Sequence, residues 1–202
     1  MSYVIPTAAR YTLDDAVDTL KFSIPARKHW FFLLFSLFWL IFWAGAEIMV
    51  GGMILSGLVA ALTGSLETGD GIFPGVFMLF WFTFWTLGGT SILLSVLWQI
   101  IGIETISVSA TGIFVRRQVM GIGRSKAYDA QYIQGLRVVP SEPYLLRQRR
   151  NPYSLWFFNF GALAFDYGAK TFRIGGDLEE AEARDMLATI QSRFPQYAPV
   201  TK

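Results

Sequence analysis

The feature that most constrains this chain is a long interior stretch that is almost free of charge. Residues 30–102 contain no Lys or Arg and only three acidic side chains: Glu47, Glu67 and Asp70. Two apolar runs fill most of this stretch, at about 30–62 and 72–102. A short loop rich in turn-forming residues, 63–71, joins them. Each run exceeds the roughly 20 apolar residues with which a helix crosses a bilayer core. The sequence therefore predicts a hairpin of two transmembrane helices over residues 30–103.

The overall composition agrees with a membrane protein and excludes several classes of site. Hydrophobic residues make up 53% of the 202 residues and charged residues 16%, whereas soluble domains carry roughly 25% charge. The chain has no cysteine, which excludes disulfides, thiolate metal sites and a cysteine nucleophile. The net charge of +2 is too small to indicate nucleic acid as a partner.

The placement of the basic residues predicts the orientation of the hairpin. Arg27 and Lys28 precede the first run, Arg116 and Arg117 follow the second, and the connecting loop has no basic residue. The positive-inside rule then places both termini in the cytoplasm. Residues 1–29 are polar and of mixed charge, without the apolar core of a signal peptide. We therefore interpret them as a cytoplasmic N-terminal segment.

Residues 104–194 have the pattern of a small α+β domain, followed by a tail at 195–202. Alternating apolar and polar residues predict a series of antiparallel strands, at 105–109, 113–120, 124–129, 134–139, 161–167 and 170–174. A closing helix is predicted from Asp177 as N-cap and Glu180 three residues later. Its apolar face comprises Ala183, Met186, Leu187, Ile190 and Phe194. The acidic residues near its start, from Glu179 to Asp185, are expected to face solvent.

A strand meander followed by one amphipathic helix resembles a pleckstrin-homology-like (PH-like) fold. The stretches 102–108, 136–138 and 164–168, together with the final helix, look like bacterial PH-like domains. Upstream, the spacing of Trp39, Trp43 and Glu47 is similar to that of small bacterial two-span membrane proteins that carry such a domain. The resemblance covers roughly residues 20–194. It implies a bacterial inner-membrane location and this architecture, and it implies no reaction.

Glu47 is the one charged side chain inside the first predicted span. Intramembrane carboxylates are costly and often mark function. Two roles stay open for it. One is structural, as an interfacial residue or a hydrogen-bond partner of the second span. The other is proton or ion handling, although a relay needs a second ionisable group.

A second candidate site is an arginine-rich and aromatic insertion at 144–160. Its proposed contact residues are Arg147, Arg149, Arg150, Tyr153, Trp156 and Phe157. Cations beside large rings fit the headgroup region of an anionic bilayer, and the same residue types dominate protein interfaces. A third alternative is that the rings fill the domain core while the arginines face solvent.

The sequence offers no recognisable catalytic constellation. The single histidine, His29, lies beside Arg27 and Lys28 at the membrane entry, and no metal-ligand spacing or activated nucleophile is present. We therefore expect a non-enzymatic, cofactor-free inner-membrane scaffold or adaptor. Its PH-like domain would bind lipid headgroups or protein. The first alternative is an accessory subunit of a larger membrane complex, with other membrane protein subunits or further copies of this chain as partners. The second, less favoured alternative is a small transporter or enzyme component.

Overall fold

A computed structural model describes residues 9–64, 72–139 and 161–198. The chain divides into two compact units. One comprises Met1–Arg27 together with Ile101–Lys202, and the other comprises Lys28–Ile100. The chain thus leaves the first unit, forms the second, and returns to the first.

The second unit consists of two long helices, α1 (Trp30–Leu62) and α2 (Ile72–Ile101). Both are long and apolar enough to cross a membrane, by length and composition. The predicted pair of apolar helices is therefore confirmed, with boundaries within one residue of those expected. Neither helix has a charged residue in its first or last turn, so neither end uses charge to complement the helix dipole.

Each helix of the pair buries only a narrow stripe of residues. On α1 the stripe passes through Leu33 and Ser36, and on α2 it passes through Gly89, Val96 and Gln99. The remaining described surface is largely exposed and dominated by Phe, Leu, Ile and Met. A surface this apolar is unusual for a protein in water, where exposed apolar patches are small.

The first unit contains two antiparallel sheets and a closing helix. A five-stranded sheet runs in the order β1-β2-β3-β4-β5 and a three-stranded sheet in the order β6-β7-β8. The strands are β1 (Thr12–Ala16), β2 (Thr19–Pro25), β3 (Gly102–Ser109), β4 (Gly112–Val119), β5 (Ile122–Asp129), β6 (Ile133–Val138), β7 (Leu163–Tyr167) and β8 (Lys170–Ile174). The six strands predicted after the helices are confirmed to within about three residues at each end.

The N-terminal segment requires a correction. The sequence interpretation made 1–29 a separate cytoplasmic segment, but residues 12–25 form β1 and β2 of the large sheet. Strand β2 pairs with β3 along its whole length, from Thr19↔Ser109 to Pro25↔Ile103. The domain thus begins before the helices, and not at residue 104. Residues 19–25 belong to the domain because apolar and polar side chains alternate strictly along β2, so that Leu20, Phe22 and Ile24 are buried in the core.

One hydrophobic core joins the two sheets and the helix. Phe22, Ile106 and Val108 enter it from the large sheet, and Leu163 and Phe165 enter it from the small one. The helix α3 (Glu180–Arg193) contributes Ala183, Met186 and Ile190. Fully burying such a large apolar side chain stabilises the fold by about 1.5–3 kcal/mol.

The start of α3 lies later than predicted. Its N-cap is Glu179, not Asp177, and the side chain of Glu182 returns to the Glu179 backbone to complete a capping box. Glu182 is also buried, against the expectation that the acidic residues of this helix face solvent. The physical reason is that Arg10, two residues before β1, forms an ion pair with Glu182.

Candidate functional site

Of the residues proposed as sites from sequence, only Glu47 lies among the described residues. The members of the arginine–aromatic insertion, Arg147, Arg149, Arg150, Tyr153, Trp156 and Phe157, lie outside them. Their assignment to lipid, protein or the domain core therefore stays a prediction.

Glu47 lies on the contact stripe between α1 and α2. The hydroxyl of Thr86 on α2 is within hydrogen-bonding distance of its Oε1 and also of the Phe82 carbonyl, the latter at 2.8 Å. One hydroxyl hydrogen serves one acceptor at a time. The carboxyl and the helix carbonyl therefore compete for it unless the carboxyl brings a proton of its own. Among the described residues the second oxygen, Oε2, is buried without a hydrogen-bond partner.

Tryptophans also take part in the contact between the two helices. Trp85 lies with its ring centroid 5.8 Å from that of Trp39 on the opposite helix and 5.0 Å from that of Trp81 on its own helix. The indole N–H of Trp43 donates to the Trp85 carbonyl at 3.4 Å. The indole of Trp43 also lies against Gly89, where an added Cβ would come within 2.0 Å of the ring. Trp39, Trp43 and Trp85 thus make contacts between the two helices, while Trp81 stacks on Trp85 of its own helix and is exposed.

The glycines of the two helices differ in whether they face the other helix. Gly57 and Gly88 have no atom within contact range of an added Cβ. Gly89 and Gly51 face the other helix instead, against Trp43 and Phe82. Gly89 therefore allows close approach, because any Cβ there would overlap the Trp43 ring. A Cβ at Gly51 would lie 3.6 Å from Phe82, in ordinary contact.

A further polar contact closes the open end of the hairpin, and it was missed from sequence. The side-chain oxygen of Gln99 on α2 accepts the backbone N–H of His29, the N-cap of α1, at 3.1 Å. The bond satisfies a backbone donor at a helix start that has no side-chain cap of its own. The signal was present in the sequence, since Gln99 is a lone amide in a run of apolar residues.

In the β-rich unit, Glu104 is a buried carboxylate with a full set of donors. It is 1% exposed and accepts the Arg117 guanidinium at 3.1 Å. The backbone N–H groups of Gly175 and Gly176 donate to it at 3.2 and 3.0 Å. These bonds connect β3 and β4 of the large sheet to the turn after β8. The role is structural, because every partner is fixed protein.

Glu182 makes a second such set at the start of α3. It accepts the backbone N–H and the guanidinium of Arg10 and the backbone N–H of Glu179, at distances from 2.8 to 3.2 Å. Burial acts to raise the pKa of this carboxyl, but the Arg10 and backbone hydrogen bonds outweigh it and hold the pKa below its ordinary value. Tyr11 also donates to Asp185. The segment before β1 is thus fastened to α3.

The outer side of the small sheet carries an exposed ion pair. Arg137 donates two hydrogen bonds to Asp166, at 2.8 and 3.1 Å, and Thr171 adds a third at 2.6 Å. These bonds lower the pKa of Asp166.

The buried Tyr197 connects the C-terminal end of the domain to the large sheet. Burial raises the pKa of Tyr197 to about 12, and its hydroxyl donates to the Ser109 carbonyl at 2.8 Å.

The hairpin of β4 and β5 carries a group of basic side chains. Residues 112–128 carry four cations and no acidic side chain: Arg116, Arg117, Arg124 and Lys126. Arg117 and Arg124 are direct cross-strand partners, an arrangement that like charges disfavour. Glu104 offsets part of this repulsion at Arg117.

Comparisons with protein-family models, curated proteins and solved structures gave no match. Among the described residues, no group of three or more His, Asp or Glu side chains is placed to hold a metal ion. A functional assignment therefore depends on the geometry of the two units themselves.

Proposed function

We propose that this chain is an integral membrane protein of the bacterial inner membrane. In this proposal α1 and α2 anchor a cytoplasmic PH-like domain, which acts as a non-enzymatic scaffold or adaptor that binds lipid headgroups or protein. Both termini lie in the cytoplasm. The five-strand meander β1–β5, the three-strand meander β6–β8 and the closing helix are compatible with the PH-like assignment.

The observation that carries the proposal is where the helices interrupt the domain. Strands β2 and β3 are neighbours in one sheet, and the Ala26 N–H donates to the Gly102 carbonyl at 3.0 Å. All of α1 and α2 lies between these two residues in sequence. A cleaved signal sequence does not fit this arrangement, because cleavage after α1 would separate β1 and β2 from the rest of their sheet. An anchor that leaves and returns to the same domain does fit.

The exposed surface of the helices favours lipid as its surroundings. The hydroxyls of Ser56, Thr83 and Ser91 donate to carbonyls of their own helices, at 2.9, 2.7 and 2.8 Å. These hydroxyls therefore need no external partner, and the rest of the surface is rich in aliphatic and aromatic side chains. A spanning helix must satisfy its polar groups internally in this way.

The second candidate is an accessory subunit of a larger membrane complex. The observation that favours it is the number of large rings on the outer surface, including Phe35, Phe38, Phe42, Phe77, Phe80 and Phe84. Aromatic side chains supply much of the contact area of protein interfaces. Purification in mild detergent separates the two candidates, because a stoichiometric complex supports the subunit and a lone species supports the anchor.

Cysteine labelling of intact cells tests the anchor and its orientation, since the natural chain has no cysteine to remove. We expect Gly69→Cys to react with a membrane-impermeant maleimide from outside. Thr111→Cys, in the exposed turn between β3 and β4, should react only after the cells are permeabilised. The reverse pattern would overturn the orientation, and extraction of the chain by alkaline carbonate would overturn the membrane anchor.

A further inference from the structure

The turn between β4 and β5 lies at a particular end of the large sheet. The strand register pairs Gly102 with Val119 and Val119 with Ile122. Gly102 follows the last residue of α2, and Pro25, five residues before α1 begins at Trp30, pairs with Ile103 in the same sheet. The β4–β5 turn is therefore at the end of the sheet where the chain leaves for α1 and returns from α2.

The tip of this turn exposes two large apolar side chains. Met120 is 81% exposed and Ile122 is 83% exposed. The two central residues, Met120 and Gly121, both have positive φ, at 50° and 82°. Two-residue hairpins of this kind favour Asn or Gly at both positions, and a bulky residue there is a conformational outlier. The turn thus holds an exposed apolar side chain at a position where the backbone conformation favours Asn or Gly.

Charge distinguishes this end of the sheet from the opposite one. The β4–β5 hairpin has four cations, and Arg116 donates to the Gly121 carbonyl of the turn at 3.1 Å. The opposite end holds the β1–β2 turn, with Val17 85% exposed beside Asp15 and Asp18. Both ends expose an apolar residue, but only the end that joins the helices is basic.

We propose that Met120 and Ile122 insert into the headgroup region of the leaflet from which α1 and α2 enter the bilayer. Arg116 and Arg124, two cations near the turn, then lie at the level of the anionic lipid phosphates, whereas Arg117 stays paired with the buried Glu104. The inference rests on the proposed membrane anchor and adds to it a third membrane contact, which fixes the orientation of the domain on the surface. Apolar tips beside cations suit this region because rings and alkyl groups enter the acyl boundary while the charges remain with the phosphates.

The test uses the full chain in nanodiscs that contain phosphatidylcholine with or without phosphatidylglycerol. A nitroxide is attached to a single cysteine, and its accessibility to oxygen and to a water-soluble nickel chelate is measured. We expect the ratio of oxygen to nickel accessibility to be several-fold higher for Ile122→Cys than for Val17→Cys, the matched control at the acidic end. The difference should increase when phosphatidylglycerol is present.

A second pair of variants separates membrane contact from folding. Met120→Asn suits the positive φ of the turn and removes the apolar side chain, whereas Met120→Leu keeps an apolar side chain. With the label at position 122, Met120→Asn should lower the accessibility ratio toward that of position 17, and Met120→Leu should retain it. Circular dichroism should show the same folded content in both variants.

A third label keeps failure of this inference distinct from failure of the anchor. Ile41→Cys reports on an exposed position of α1. If position 41 is lipid-exposed and position 122 is as water-accessible as position 17, the inference is overturned and the anchor stands. If position 41 is also in water, the anchor itself fails. A position 122 that is shielded from both reagents indicates a protein contact and likewise overturns the lipid assignment.

Discussion

The two units of this protein bury polar groups in opposite ways. In the β-rich unit, the buried Glu104 has a cation and two backbone N–H groups around it. In the helical unit, Glu47 shares one hydroxyl with a helix carbonyl, and its second oxygen has no hydrogen-bond partner among the described residues. A sheet domain has free loop amides to offer to a carboxylate, whereas helices use their amides internally. The carboxyl oxygens are therefore fully paired in one unit and only partly paired in the other.

The difference also extends to the surfaces. The β-rich unit encloses its large apolar side chains, such as Phe22 and Phe165, in one core. The helical unit turns most of its apolar side chains outward and keeps Ser36 and Gln99 within. The two units are thus suited to different surroundings, although one polypeptide passes from the first to the second and back.

The largest expected effect comes from separating the two units. A chain in which residues 28–100 are replaced by Asn-Gly should fold as a soluble domain, because Pro25 and Ile103 are already strand partners and Asn-Gly favours a tight hairpin. Residues 101–202 alone should not fold, since they lack β2 and its three core side chains. Thermal melting followed by circular dichroism checks both. Cooperative melting of residues 101–202 at the same temperature would show that the N-terminal strands are dispensable.

Next in size is the loss of the Glu104 contacts. Glu104→Ala, made in the domain closed by Asn-Gly, should lower the free energy of unfolding by about 3–5 kcal/mol, because it removes the acceptor of two backbone N–H groups and the buried partner of Arg117. Urea unfolding measures this change. Glu180→Ala, which breaks an exposed pair with Arg184, is the control and should cost only about 0.3–0.5 kcal/mol. Equal losses would mean that burial of Glu104 adds nothing.

In the helical unit, the sharpest test is at two neighbouring glycines. Gly89→Ala places a methyl group into the Trp43 indole and should destabilise the helix pair by about 1–3 kcal/mol. Gly88→Ala meets open space and should be neutral or slightly stabilising. Thermal unfolding of the full chain in mild detergent compares them. Adding Trp43→Leu should recover part of the Gly89→Ala loss, and no recovery would argue against direct overlap.

A smaller effect is expected at Glu47. Glu47→Gln should change stability little, because the amide can donate to Thr86 while Thr86 donates to the Phe82 carbonyl. Glu47→Leu removes one of the two acceptors near the Thr86 hydroxyl, which keeps its bond to the Phe82 carbonyl, and should cost about 0.5–1.5 kcal/mol for the lost hydrogen bond. The abundance of each variant in membranes and its melting temperature in detergent provide the comparison. Equal harm from both would indicate that the charge itself is needed, as in ion or proton handling.

The smallest effect is expected from the exposed pair of Arg137 and Asp166. Hydrogen bonds hold the pKa of Asp166 below its ordinary value of 3.8. The stability that the pair contributes is therefore fully present above that ordinary value and is lost as the pH falls through the lowered pKa. Asp166→Asn should remove this acid dependence and cost only a few tenths of a kcal/mol at neutral pH. Urea unfolding of the domain closed by Asn-Gly, at neutral and acidic pH, measures the cost of the substitution and its acid dependence. An unchanged acid dependence in the variant would show that Asp166 is not its source.

Most of the architecture could be predicted from sequence because it follows from local patterns. Runs of apolar residues fix α1 and α2, and alternation fixes the strands after them. The alternation of Leu20, Phe22 and Ile24 was equally visible. The aspartates of β1 hid its neighbour on one side, and the helical hairpin separates it in sequence from β3, its partner on the other side. A pairing that spans the whole helical hairpin leaves no trace in local spacing.

The sequence by itself determined the two long apolar helices, the later strands and the closing helix, since hydrophobic periodicity decides each of them locally. Only the tertiary structure decided that β2 and β3 close one sheet across the helices, that Arg10 and Arg117 compensate the buried Glu182 and Glu104, and that Gly89 receives Trp43. These contacts join residues 13 to 172 positions apart. Their partners are selected by packing and by the need to satisfy buried charge, which no local pattern encodes.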